Sequence, residues 1–138
     1  MSLLTKKSIY GLMAIFELYK QRNSSNPMQL RDISTYTGIP RNYLEQIFIE
    51  LKKADLIVSI RGAKGGYRIT NNKNDIKIKE IISVLDGEIR SVKERTNNPV
   101  FDLFFSDCDK KLVDIFDKPL SSLEEYELTL SKQVNYSI

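Results

Sequence analysis

A glycine-rich basic segment lying directly behind two short helical patterns limits what this chain can fold into. Residues 56–70 read LIVSIRGAKGGYRIT. Leu56–Ile60 is a β-branched run, and Tyr67–Thr70 supplies a return strand. Between them, three glycines in five residues (Gly62, Gly65, Gly66) permit a tight, twisted connection. Arg61 and Lys64 sit in the loop, Arg68 follows it, and no acid occurs anywhere in 56–70. Glycines let a backbone approach a phosphate closely, and arginines supply forked donors. A nucleotide-binding phosphate loop is excluded, because no GxxxxGK[ST] is present and the glycines lie between two strands.

The helices upstream define the other half of the pattern. From Thr5, a suitable N-cap, to about Arg22, residues Ile9, Leu12, Met13, Phe16 and Tyr19 follow helical spacing, and Tyr10, Ile15 and Leu18 widen the stripe. A second helix is expected over Gln29–Thr37, with Leu30 and Ile33 inward. Gly38-Ile39-Pro40 then makes a turn, glycine taking positive φ and proline starting the next helix. The third helix, about Arg41–Ala54, places Leu44, Ile47, Phe48 and Leu51 at i, i+3, i+4, i+7 and leaves Asn42, Glu45, Gln46, Ile49 and Lys53 on the other face.

Two helices joined by a tight glycine turn make a helix-turn-helix, and a basic hairpin directly after it makes a winged helix. Such a unit places its recognition helix in the major groove and its wing on the backbone or minor groove. The alternative is a winged-helix protein-interaction module without a DNA target. Charge distribution favours nucleic acid. Residues 1–70 hold 11 Lys/Arg against 5 Asp/Glu, a net of +6; residues 71–138 hold 10 against 13, a net of −3, giving the overall +3. With no histidine and a single cysteine, Cys108, histidine triads, histidine metal sites, intrachain disulfides and all-thiolate clusters within one chain are excluded. No enzyme and no cofactor is expected, and the single cysteine suits a reducing cytoplasm. No run approaches the ~18 apolar residues of a membrane span.

Downstream, Asn71–Asp75 reads as a polar turn. Ile76–Leu85 reads as a helix with Ile78, Ile81, Ile82 and Leu85 inward, ended by Gly87 in the left-handed region. Residues 87–99 are polar and weakly patterned. From Pro99 to Asp117 a strongly apolar helix is expected, about 28 Å long at ~1.5 Å per residue. Pro119 ends it, and Leu120, Leu123, Tyr126 and Leu130 suggest a short final helix with a frayed end. The long helix is more apolar than one small domain requires. Val100, Phe101, Phe104, Phe105, Leu112, Ile115 and Phe116 are the expected surface of a homodimer, with parts of the first helix beside them. The organisation is thus mainly α: a winged helix-turn-helix over 1–86, a loop over 87–99, and a dimerisation helix with a short end helix over 100–138. Glu124, Glu125 and Glu127 read as the solvated face of that end helix.

The segments TKKSIYGLMAIFEL, LRDIS, GIPRNYLEQIF, RGAKGGYRI and IKEIISVLDG resemble the Rrf2 family of bacterial winged-helix transcriptional regulators. That family spans iron–sulfur-cluster regulators and a clusterless repressor of cysteine metabolism. The resemblance covers about residues 1–90; beyond that only the layout matches. It implies that Arg41, Asn42, Tyr43, Glu45 and Gln46 meet DNA from the recognition helix. Asn42 and Gln46 suit adenine edges, Arg41 guanine or phosphate, and Glu45 cytosine. It also implies that Arg61 enters the minor groove within a wing of Gly62, Lys64, Gly65, Gly66, Tyr67 and Arg68. Lys64 and Arg68 would then touch phosphate, as would Lys6 and Lys7. Sensing members carry three cysteines in the loop before the dimerisation helix; the loop here, 87–99, carries none. Cys108 falls inside the long helix, where a buried cysteine acts as a small hydrophobe. The expected protein is therefore a dimeric repressor of an imperfect DNA palindrome, without a cluster. Its signal, a small effector or a regulatory protein, is left unidentified, and a cleft between the dimer helix and the winged domain is the first place to look.

Overall fold

The computed structural model describes residues 1–70 and 75–137, with side chains described as far as residue 133. Apart from Asp75, the expected polar turn at Asn71–Asp75 lies outside the described residues, as does the chain end at Ile138.

Thr5 caps the first helix as expected: its Oγ1 accepts from the Ser8 N–H at 3.3 Å, and α1 runs Lys6–Lys20. Its buried face differs from the stripe of large residues. Ser8, Gly11, Ala14, Ile15, Leu18 and Tyr19 are buried, whereas Ile9 and Met13 are exposed. The cause is close packing against α4 (Ile78–Asp86). A Cβ at Gly11 would stand 2.2 Å from Leu85 Cδ1, so small residues hold the face where the two helices approach most closely.

α2 (Leu30–Thr37) ends at Gly38, which takes φ +77° and donates its N–H to the Ser34 carbonyl at 2.8 Å. Ser34 Oγ in turn donates to the Ile39 carbonyl at 2.6 Å, which fixes the turn. Pro40 is the N-cap of α3 (Arg41–Lys53) and so precedes its first turn. On α3 the expected stripe is the observed one, with Leu44, Ile47, Phe48 and Leu51 at most 1% exposed.

The wing is an antiparallel pair, β1 (Ile57–Ile60) and β2 (Gly66–Ile69), in the register Ile57↔Ile69, Val58↔Arg68, Ser59↔Tyr67, Ile60↔Gly66. The far edge of β2 is also covered. Met28 and Tyr67 exchange both backbone hydrogen bonds, at 3.1 and 2.7 Å, so the α1–α2 loop acts as a one-residue third strand.

On α4, Ile81, Ile82 and Leu85 are buried, while Ile78 is only half-buried and Ile76, just before the helix, is buried in its stead. Gly87 ends the helix at φ +85° and ψ −163°, a positive φ but not the expected left-handed helical conformation. α5 (Pro99–Phe116) is capped by Asn98, whose Oδ1 accepts from the Val100 N–H at 3.0 Å, with Pro99 in the first turn. A single 3₁₀ turn (Leu120–Ser122) leads into α6 (Leu123–Ser137), which at 15 residues is not the short helix expected. Leu120 is fully buried in the same core as α1 and α4. The junction is held by paired bonds, Ile78 N–H to the Lys118 carbonyl and Leu120 N–H to the Ile76 carbonyl, each 2.8 Å.

α5 itself has no buried residue. Val100 is 73% and Phe104 57% exposed, and Phe101, Leu103 and Ile115 are exposed with them, while Phe105, Leu112 and Phe116 are half-buried. Cys108 is likewise only half-buried, not the buried hydrophobe expected. The α6 carboxylates are not simply solvated either: Glu127 pairs with Lys20 at 3.0 Å and Glu124 with Arg22 at 3.8 Å, tying α6 to the end of α1.

Candidate nucleic-acid interface

The buried stripe of α3 fixes which face of that helix looks outward. Arg41, Asn42, Glu45 and Gln46 are all exposed, and among the described residues no side-chain hydrogen bond or ion pair ties them down. They occupy the first two turns, so the donors and acceptors sit together at the N-terminal end of the helix. Tyr43 differs from them. It is half-buried and meets Tyr10 of α1 edge-on, ring centroids 5.3 Å apart, so it orients α3 against α1.

At the start of α1, Lys6 lies over the Tyr10 ring at 5.7 Å and is exposed. Lys7 instead reaches α3, its Nζ 2.6 Å from a Glu50 carboxylate oxygen. This is an ion pair between the two helices, and it occupies the cation that the resemblance gives to phosphate.

In the wing, Arg61, Gly62, Ala63 and Lys64 form an exposed tip. Gly62 takes φ +117° with open space around it. Gly65 and Gly66 have an internal reason to be glycine: a Cβ at Gly65 would lie 2.3 Å from the Ile60 carbonyl oxygen, and one at Gly66 2.3 Å from that of Met28. Tyr67 packs edge-on against Phe48 of α3, 4.8 Å between centroids. Arg68 turns back into the chain, its Nη1 donating to the Ser24 carbonyl at 2.8 Å. Among the described residues, Arg41, Asn42, Glu45 and Gln46 on α3 and Arg61 and Lys64 on the wing tip thus stay outward without a side-chain partner; Tyr43, Gly65, Gly66, Tyr67 and Arg68 are instead engaged in packing or hydrogen bonding within the chain. Sequence reasoning missed Met28, whose backbone clamps the wing, because pairing between residues 28 and 67 leaves no local signal.

Behind this face, the loop before α5 is fastened by two aspartates. Asp109 Oδ1 accepts from the Ser91 N–H at 2.5 Å and its hydroxyl at 2.6 Å. Asp102 Oδ1 accepts from the Thr96 N–H at 2.8 Å and its hydroxyl at 2.9 Å. These bonds hold both carboxyls below their ordinary pKa. A cleft of about 410 Å³ between α4 and α5, bordered by Lys79, Ile89, Arg90 and Val113, corresponds to the place expected for an effector.

A family model described as "Rrf2: Iron-dependent Transcriptional regulator" matches residues 4–129. An rrf2-like HTH-type transcriptional regulator of Rhodobacter capsulatus is 36% identical over 89 residues, 63% of this chain and 59% of that protein. The HTH-type transcriptional regulator IscR of Photobacterium profundum is 38% identical over 90 residues, 65% of this chain and 52% of that protein. The chain thus spans between half and three fifths of the length of these curated relatives. Among solved structures, CymR, the global cysteine regulator of B. subtilis, superimposes with a TM-score of 0.77 at 30% identity, over 91% of this chain and 98% of that one. IscR of T. potens gives 0.73 at 31% identity, over 90% and 87%.

The iron in the family's description does not fit the residues present. The chain has one thiol and no imidazole. Asp109 and Asp102 of α5 are committed to Ser91 and Thr96, and Glu88 of the loop to Arg90, and no group of three or more His, Cys, Asp or Glu able to hold a metal occurs among the described residues. What the chain does share with these proteins is the helix–turn–helix, the wing and the long helix behind them, and a match running through all three, from residue 4 to residue 129, makes it a member of the Rrf2 family.

Proposed function

We propose that this chain is a sequence-specific DNA-binding transcriptional regulator, a repressor that acts as a homodimer and without an iron–sulfur cluster. One observation carries the reading: Arg41, Asn42, Glu45 and Gln46 are exposed at the N-terminal end of α3 and have no side-chain partner among the described residues, and the tip of the wing carries the exposed cations Arg61 and Lys64. Asn and Gln pair bidentately with adenine, Arg with guanine, and Glu accepts from cytosine, so this set suits base edges in the major groove. A helix inserted there brings the wing tip onto the backbone or minor groove. The relatives' description as transcriptional regulators supports the same role.

The exposed apolar face of α5 supports the dimer. Val100, Phe101, Phe104 and Ile115 are too large and too exposed for a solvated helix, and a twofold pairing of α5 covers them. Such a pairing presents two recognition helices about one DNA turn apart, roughly 34 Å, which matches an imperfect palindrome. Repression follows from occupancy of such a site over a promoter. The expected result of selection from random duplexes is an enriched palindrome, with affinity falling about 0.9 log units per log unit of salt for each phosphate neutralised. Recovery of no motif at moderate salt would sink the proposal.

A further inference from the structure

A cavity of about 260 Å³ lies at the base of the wing, between the end of α1, the loop after it and β2. Its polar lining comes from Gln21, Arg22, Asn23, Asn26, Arg68 and Thr70. Arg22 stacks over the Tyr19 ring at 3.9 Å and donates from Nη1 to the Tyr19 carbonyl at 2.9 Å. Arg68 is held from the other side through Ser24 at 2.8 Å. Each guanidinium has five N–H donors, so both keep donors to spare. Thr70 completes this lining. It is 6% exposed, and its Oγ1 has no hydrogen-bond partner. Buried hydroxyls are rarely left so, and Thr70 is one of the residues bordering the cavity. Leu18, Ile69 and Ile76 add apolar lining.

From this arrangement we infer that the cavity is a binding site for a small aliphatic carboxylate, which bridges the end of α1 and the wing. The charge balance selects a single negative charge: two arginines face the space, and Glu124, 3.8 Å from Arg22, offsets one of them. A planar carboxylate matches guanidinium donors and accepts from the Thr70 hydroxyl. The apolar lining takes the hydrocarbon end. The volume lies just below that of sites for drug-sized ligands, roughly 300–1,000 Å³, so the ligand is a metabolite of few heavy atoms. This site is separate from the DNA-facing surface, and its existence does not depend on DNA binding.

Ligand-detected NMR on the full chain tests it, with propionate, butyrate, isobutyrate and hexanoate as probes, their primary amides as uncharged controls and inorganic phosphate as a dianion. Saturation transfer is expected to the carboxylates and not to the amides. Thr70→Val removes the hydroxyl while keeping the shape; it should bind the best carboxylate about tenfold more weakly with an unchanged or higher melting temperature. Arg22→Gln should weaken binding by at least as much. Transfer to none of the carboxylates, equal binding of the amides, preference for phosphate, or full affinity in Thr70→Val would each overturn the assignment.

Discussion

The ring of Tyr67, on the second strand of the wing, meets the ring of Phe48, on the inward face of α3, edge-on at 4.8 Å between centroids. The wing is thereby fixed to the core side of the helix whose other face carries Asn42 and Gln46. Removing the ring should loosen the wing before it unfolds the domain. Tyr67→Ala is expected to cost about 2 kcal/mol, less than a fully buried aromatic because Tyr67 is half-buried, and Tyr67→Phe under about 0.5 kcal/mol. Urea unfolding reads the energies, and backbone relaxation across 57–69 reads the loosening. Equal stability of the two variants would show that the ring contact does not hold the wing.

Gly66 and Gly38 should respond differently to alanine. Both have positive φ, but Gly38 looks into open space, whereas a Cβ at Gly66 meets the Met28 carbonyl oxygen at 2.3 Å. Gly38→Ala bears only the left-handed backbone cost, about 1–2 kcal/mol. Gly66→Ala must also break the Met28–Tyr67 pairing and should cost more than Gly38→Ala. Thermal melts of the two variants give the ranking, and amide exchange at Tyr67 reports whether its bond to Met28 has opened.

The wing and α3 were legible in the sequence because their signals are local. The apolar period of Leu44, Ile47, Phe48 and Leu51 reads directly as a buried face, and the glycines between two β-branched strands read directly as a hairpin. On α1 the same reasoning misplaced the core. The stripe of large residues points partly outward through Ile9 and Met13, because Gly11 faces Leu85 of α4 where no larger side chain fits, and Ala14 is buried with it. Apolar period weighs size, and close helix packing selects against it. The role of Arg68 was hidden for another reason: whether a wing cation faces solvent or the Ser24 carbonyl depends on a loop 44 residues away.

Asp86 links the ends of α1 and α4. Its Oδ2 accepts from the Thr5 N–H at 3.0 Å, and its Oδ1 accepts from the Thr5 hydroxyl. Partial burial pushes this carboxyl up, but the Thr5 bonds outweigh it and the folded pKa is lowered. A carboxyl with a folded pKa below its unfolded value, about 3.9, stabilises the fold above that pH. The contribution is lost as pH falls through the folded value. Asp86→Asn should therefore lower the melting temperature at pH 7 and converge with wild type in acid. A constant difference between the two at every pH would rule out ionisation as the cause.

The α5 face allows a substitution that separates association from folding. Phe104 is 57% exposed and no α5 residue is buried within the chain, so Phe104→Asp removes nothing from the monomer core. If α5 pairs with its mate, the variant should sediment as a monomer with its helical signal intact. It should also lose affinity for a palindrome far more than for a half-site, since only the dimer gains from two half-sites. A wild-type chain that sediments as a monomer at tens of micromolar would dispose of the pairing.

Two positions on the outer face divide specificity from affinity. Gln46 lies exposed on α3, where a side-chain amide suits an adenine edge, and Arg61 lies exposed on the wing tip. Gln46→Ala should relax discrimination at one or two base pairs by about 1–3 kcal/mol and leave the salt slope almost unchanged. Arg61→Ala should weaken binding to all sequences and reduce the salt slope by about one phosphate, because a wing cation neutralises backbone charge. Binding isotherms at several salt concentrations, on the selected site and its single-base variants, separate the two. If Gln46→Ala lowered affinity equally for every variant site, α3 would be contacting backbone and the base-reading role would have to move to Asn42 or Arg41.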